Sequence, residues 1–199
     1  LGWNPGNDQD FMTMDEMIHL FDLAKCSKNG AHFDIKRLLW FNHHYLQECD
    51  EQMLVDTLKA QIAEHGADAK SDEYVKTVVQ MMKERINLPQ ELWEQCNFFF
   101  AAPTEFDEKS LKKWWKPEAP KYVSELCDFL EAQDDWTGET LEPKVMEWIA
   151  SKEYKTGAVM NAFRVTLVGA ARGPQIFAIT DMLGREESLR RARKAVETL

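Results

Sequence analysis

Glycine is scarce in this sequence, with nine among 199 residues, while charged residues make up 29% and hydrophobic residues an ordinary 44%. That combination favours helices over sheets. Long apolar runs are also missing. None approaches the ~20 residues that cross a bilayer, and no signal peptide opens the chain, so a soluble, cytoplasmic protein without membrane contact is expected. Cys26, Cys49, Cys96 and Cys127 have no C-x-x-C spacing. Reduced, structural thiols are therefore expected rather than a disulfide or zinc framework. The pair His43-His44 is a poor metal clamp, because neighbours on a helix point about 100° apart, and no metal site is expected. Missing too are a phosphate-binding Walker loop, a dinucleotide fingerprint, an H-E-x-x-H helix and a G-x-S-x-G elbow. No catalytic residue is assigned in this chain.

The formal net charge of −10 by itself argues against nucleic-acid binding. The distribution weakens that objection. Between residues 152 and 194 stand Lys152, Lys155, Arg164, Arg172, Arg185, Arg190, Arg191, Arg193 and Lys194. Acids concentrate earlier, at Glu48, Asp50, Glu51, Asp56, Asp134 and Asp135. A net-acidic chain can still present a local cationic face.

Hydrophobic periodicity gives an all-α chain of about ten helices. Thr13-x-x-Glu16 is a capping box for a first helix with Met14, Met17, Ile18 and Phe21 on its apolar side. Asp34 caps a second, with Ile35, Leu38, Leu39 and Leu46 aligned. Further helices are predicted over 51–64, from a cap at Ser71, from Pro89 through Phe100, from Asp107 to Trp115, and over 118–132, 140–153, 157–168, 174–183 and 185–198. The run Val165–Val168 has strand propensity, but Met160, Phe163 and Leu167 fit a helix. Phe98-Phe99-Phe100 could stack on bases, yet tripled aromatics ending an apolar helix are expected in the core. The acidic, turn-like stretch 133–140 is the best internal boundary.

The segment 163–191 is the most informative. Arg164 interrupts an apolar stretch ending at Gly169, and Arg172 directly precedes Gly173-Pro174 and a new helix. Buried arginine demands an anionic or hydrogen-bonding partner. Gly-Pro suits a helix start, with Pro at the first helical position and Gly admitting close approach to the backbone. These features describe a compact site for something polar and anionic.

Several motifs together resemble the bacterial glutamyl-tRNA synthetases. They are Leu1-Gly2-Trp3, the loop Ser27-Lys28-Asn29-Gly30-Ala31-His32-Phe33-Asp34, and the helix Arg37-Leu38-Leu39-Trp40-Phe41-Asn42 closed by Tyr45-Leu46. Glu84-Arg85 is similar to the family's Glu-Arg turn. Trp136-Thr137, Arg164, Gly169, Gly173-Pro174 and Gly184-Arg185-Glu186 match its C-terminal pattern. The resemblance implies two helical, bundle- or cage-like anticodon-binding domains, at 51–130 and 131–199, after the end of a stem-contact region at 1–50. It also implies a class I Rossmann domain, with HIGH-type and KMSKS-type motifs, lying upstream. The chain is thus expected to be the C-terminal half of a monomeric ligase that joins glutamate to tRNA(Glu) with ATP and Mg2+, inactive alone and holding no cofactor itself.

The resemblance further implies roles for single residues. Arg85 would read the third anticodon base, which separates tRNA(Glu) from tRNA(Gln), and Arg164 would face the anticodon from the second domain. Gly173, Pro174 and Ile176 would cradle an anticodon base, and Lys28 and Arg172 would touch the tRNA backbone. Arginine's planar fork suits both base-edge pairing and stacking. The sequence departs from the pattern at Ile176, where Leu is commoner, and at Ala170-Ala171, where the loop is often more polar. Plainer roles stand beside these: Arg85 as a cation complementing a helix C-terminus, Arg164 paired with a buried acid. For the whole chain the alternatives are a helical protein–protein scaffold presenting Trp114 and Trp115, and a standalone enzyme.

Overall fold

The computed structural model describes residues 2–7, 9–30 and 32–199. Leu1 of the Leu-Gly-Trp motif and Ala31 of the Ser27–Asp34 loop lie outside the described residues. Ten α-helices and no strand occur among the described residues, and Val165–Val168 is helical. The chain divides into two compact units, Leu1–Asn42 and His43–Leu199.

In the first unit, α1 (Met14–Leu20) opens on the expected capping box. Thr13 Oγ1 accepts from the Glu16 amide, and the Glu16 carboxylate accepts from the Thr13 amide at 2.7 Å. Asp34 Oδ1 accepts from the amides of Lys36 and Arg37 to start α2 (Ile35–Glu48), which runs on into the second unit. Much of the apolar side of these two helices is uncovered, although Leu46 of α2 is buried. Met14, Ile18, Phe21, Ile35 and Leu38 are all exposed, and α1 buries nothing. Periodicity identifies which residues share a face, but not whether another element covers that face.

The second unit opens with α3 (Glu51–Glu64), capped by Asp50, and α4 (Asp72–Met82), capped by Ser71. They bury Leu54, Leu58, Ile62, Val75, Val78, Val79 and Met82. Each such side chain contributes about 2 kcal/mol of transfer free energy. The fifth predicted helix is broken: only α5 (Leu92–Cys96) is α-helical, with tight 3-10 turns at Pro89–Glu91 and Asn97–Phe99 on either side. Phe98, Phe99 and Phe100 are buried, as core residues should be. The cysteines are free; burial pushes the Cys96 and Cys127 thiols up to about 12.

After Asp107, whose carboxylate accepts from the Ser110 amide, come α6 (Glu108–Trp114), α7 (Ala119–Glu131), α8 (Gly138–Ser151), α9 (Thr156–Val168) and α10 (Ile176–Thr198). α10 is broken at Gly184, whose φ of 78° and ψ of 168° are non-helical, where two helices were expected to meet. α8 starts under a cap from a distant element: Asp181 Oδ1 accepts from the Gly138 amide at 2.6 Å. Packing within the unit falls into two groups. α3, α4 and α5 pack on one another, whereas α7 packs chiefly on α9 and α10. The change of packing partners falls at residues 101–107.

Arg191 joins the groups. Its side chain is 4% exposed. Nη1 donates to Phe98 O at 2.7 Å in the first group and to Leu167 O at 2.9 Å in the last turn of α9. Nε donates to Glu187 Oε1 at 2.6 Å. Glu187 also accepts twice from Arg190, and these bonds, with the two cationic charges, hold its carboxyl down to about 2.

Replacing Arg191 by Ala leaves two buried carbonyls unpaired and should destabilise the chain by about 3 kcal/mol in urea titrations. Because the Glu187 carboxyl is depressed, its stabilisation is complete above the ordinary value of 4.5 and is lost as pH falls toward about 2. Glu187→Gln should flatten that part of an acid-unfolding profile, and an unchanged profile would show that the pairing does not contribute.

Candidate nucleic-acid interface

Arg85 ends a 3-10 turn, Lys83–Arg85, between fully buried Met82 and Ile86. The C-terminal half of α2 anchors this turn. His43 Nδ1 donates to Ile86 O at 2.8 Å, Gln47 Nε2 donates to Lys83 O at 3.1 Å, and Lys83 Nζ returns a bond to Gln47 O at 2.8 Å. The Asn87 amide donates to Glu91 Oε2. With its backbone fixed on both sides, the Arg85 side chain is exposed and has no hydrogen-bond or ion-pair partner among the described residues.

Arg164 stands on the last two turns of α9, half-buried. Backbone, not the buried acid of the plainer alternative, supplies its partners: Nη1 donates to Arg172 O at 3.2 Å and to Pro174 O at 2.5 Å. Burial lowers its guanidinium pKa from the usual range, and the charge of Arg85 pushes it further the same way. Arg85 and Arg164, from different packing groups, are thus close enough for their charges to interact. Neither makes an ion pair among the described residues. Two neighbouring, uncompensated guanidiniums form a positive spot on a negative protein, able to attract phosphate and to hydrogen-bond a base edge.

The turn 169–174 completes the surface. Gly169 caps α9 at φ 82°, and a Cβ there would lie 2.7 Å from Glu105 O. Its carbonyl accepts from the Asp107 amide at 2.8 Å, and the Ala171 amide donates to Ser110 Oγ at 2.9 Å. Gly173 has φ 103°, and a Cβ there would meet the Phe98 ring at 3.3 Å. Pro174 is not at the first helical position, as its sequence context suggested. Gln175 is the N-cap and Ile176 begins the helix, so the role of Pro174 is to present its carbonyl to Arg164. The Pro174 ring is buried, and Ile176 is 5% exposed within the core. Backbone, rather than these two side chains, is what the turn offers a ligand. Arg172 Nη2 donates to Glu94 O at 2.8 Å. Lys28 is exposed in the first unit.

The family model described as anticodon binding domain matches residues 45–196. The chain belongs to the anticodon-binding domain family. Over its full 199 residues it is 51% identical to a glutamate–tRNA ligase of Bacteroides fragilis and 48% identical to that of Porphyromonas gingivalis, in each case covering 39% of the relative. A crystal structure of a glutamate tRNA ligase from Elizabethkingia meningosepticum, in complex with its amino acid, superposes with a TM-score of 0.84 at 36% identity. That match covers all of this chain and 39% of the other. The chain therefore spans about two fifths of the length of the relatives it matches. No helix among the described residues is long and apolar enough to cross a membrane.

His43 and Gln47 set the Arg85 turn, and Arg191 holds the two packing groups together; the sequence reading assigned none of the three. The first two stand four residues apart on one helix face, a signal that the adjacency of His43 and His44 obscured.

Replacing Arg164 by Met keeps the apolar stem and removes both carbonyl bonds. Amide exchange at Ala171, whose N–H is bonded to Ser110 Oγ, should rise at least several-fold above wild type while that of α7 stays unchanged; unaltered exchange would mean that Arg164 does not shape the turn.

Proposed function

We propose that this chain recognises the anticodon loop of tRNA(Glu) as part of a glutamate–tRNA ligase. The observation that carries the reading is Arg164, bonded to the Arg172 and Pro174 carbonyls and near enough to the exposed Arg85 for their charges to interact. Splayed, unstacked anticodon bases are a characteristic target of sequence-specific RNA recognition. Arg85 reads the third anticodon base with its exposed fork. Arg164 divides its donors between the turn and the RNA, because Nε and Nη2 have no partner among the described residues. The backbone of Gly173-Pro174 and the start of the helix at Ile176 form the floor, and Lys28 and Arg172 contribute backbone contacts.

In this reading residues 1–50 are the end of a stem-contact region, followed by two helical anticodon-binding domains. The change of packing partners at 101–107 supports a division there. The whole enzyme joins L-glutamate to tRNA(Glu) with ATP and Mg2+, as a monomer in the cytoplasm. No group of three His, Cys, Asp or Glu side chains among the described residues is arranged to hold a metal ion. In this reading the chemistry of ATP and Mg2+ belongs to parts of the enzyme outside this chain. No observation favours a protein–protein scaffold: Trp115 packs against the core, and Lys113 lies over the Trp114 ring at 4.7 Å.

Binding of tRNA(Glu) and tRNA(Gln) to wild-type and Arg85→Gln chains tests the reading. Wild type should prefer tRNA(Glu), and the variant should lose about tenfold of that preference, the effect of one base-edge contact. An unchanged ratio would remove Arg85 from the readout.

A further inference from the structure

α6 and the residues just past its end have two chemically distinct sides. Ser110 is buried, and Leu111, Trp114 and Trp115 are half-buried on the packed side. On the other side Lys109, Lys112, Lys113 and Lys116 are all exposed. They recur at the i, i+3, i+4, i+7 spacing that places helical side chains in one stripe, here about 10 Å long.

No acid neutralises this stripe. None of its lysines forms an ion pair among the described residues, not even Lys112 with Glu108 one turn before it. Lys113 lies over the Trp114 ring at 4.7 Å, and Lys116 Nζ donates to Lys112 O at 2.6 Å, contacts that leave both charges uncompensated. Lysines three and four residues apart on a helix repel one another. Elsewhere the chain sets acid beside base, as in Lys121 with Glu125 and Arg190 with Glu187. It has the means to do so here too, with 34 acidic residues against 24 lysines and arginines. Complementing the C-terminal dipole of a seven-residue helix does not account for the stripe, because Lys116 already does so through Lys112 O.

The stripe borders the 169–174 turn. The Asp107 amide donates to Gly169 O at 2.8 Å and the Ala171 amide to Ser110 Oγ at 2.9 Å, so the start of α6 is fastened to the turn. Hydrogen bonds from Ser110 lower the Asp107 carboxyl, and the charges of Lys109 and Arg172 lower it further. Lys109 and Arg172 therefore share the neighbourhood of one carboxylate, and the lysine stripe begins beside the turn. Lysine is a compact point charge without the planar fork that pairs with a base edge. Such cations suit phosphates, whose contacts position a nucleic acid without reading its sequence. We propose that the lysine stripe of α6 holds the phosphate backbone of the base-paired anticodon stem, beside the surface that meets the loop. Double-stranded RNA is recognised mostly through its shape, phosphates and 2′-hydroxyls. The proposal rests on the RNA-binding reading above.

The test is fluorescence anisotropy of the 199-residue chain with a tRNA(Glu) anticodon stem–loop RNA, between about 50 and 200 mM salt. Wild type is compared with a variant combining Lys109→Gln, Lys112→Gln, Lys113→Gln and Lys116→Gln, and with one carrying Arg at the same positions. Thermal melting followed by circular dichroism checks that both variants fold. At the lowest salt the glutamine variant should bind roughly tenfold or more weakly, and its slope of log affinity against log salt should be shallower by about 3. The arginine variant should keep the wild-type slope. The loss should be the same for a stem with its base pairs shuffled and for an altered anticodon, and smaller for an unpaired RNA of the loop sequence alone. Equal slopes for wild type and the glutamine variant would overturn the proposal and leave the stripe to an acidic protein partner. A loss that depends on the anticodon, or that persists in full on the unpaired RNA, would overturn it as well. If wild type binds none of these RNAs, the RNA-binding reading itself fails and the proposal with it, which is a distinguishable result.

Discussion

The arrangement of this molecule depends on one buried guanidinium. Arg191 reaches from α10 to Phe98 O in one packing group and Leu167 O at the end of α9 in the other, while Glu187 compensates its charge. Removing an arginine from water is costly unless each donor direction meets an acceptor and the charge meets a counter-charge. Here Nε and Nη1 meet acceptors and Glu187 supplies the counter-charge, and the bonds fix the relation between the Asn97–Phe99 turn and the C-terminus of α9. Arg85 belongs to the first group and Arg164 to the second. The two become neighbours only if that seam is held.

Against Arg191, the pair Arg85 and Arg164 shows the opposite design. No carboxylate neutralises either, and Arg164 feels Arg85 as a repulsive neighbour on top of its own partial burial. Like charges held together without compensation oppose stability, so the backbone must be restrained from several sides. His43, Gln47 and Lys83 restrain one turn. Arg164 itself, with the closely packed Gly169 and Gly173, restrains the other. The net charge of −10 hides this spot completely. A summed charge describes solubility and long-range steering, whereas recognition depends on which few groups lack a counter-ion.

Much of the architecture could be read from local chemistry. Thr13, Asp34, Asp50, Ser71 and Asp107 cap their helices as side-chain oxygens do. Gly169 and Gly184 end or break helices where only glycine adopts the backbone angle without strain. What could not be read depended on distant partners. The exposure of Met14, Ile18 and Leu38 is invisible to periodicity, because a helical stripe looks the same whether covered or not. Arg164 was legible as a cation needing partners. That those partners are the carbonyls of Arg172 and Pro174 follows only once the chain turns back at Gly169. The Asp181 cap on Gly138 and the Arg191 bond to Phe98 join residues 43 and 93 positions apart, and no local pattern encodes them.

The central claim is that the uncompensated arginines give this chain direct sensitivity to an anticodon. Its most direct test is equilibrium binding of the chain to tRNA(Glu), and to the same tRNA with only the anticodon triplet replaced, at low and physiological salt. Both affinities should fall with salt as phosphate contacts are screened, while the ratio between the two RNAs stays at about tenfold or more. Equal affinity for the two tRNAs at both salt concentrations would contradict the account.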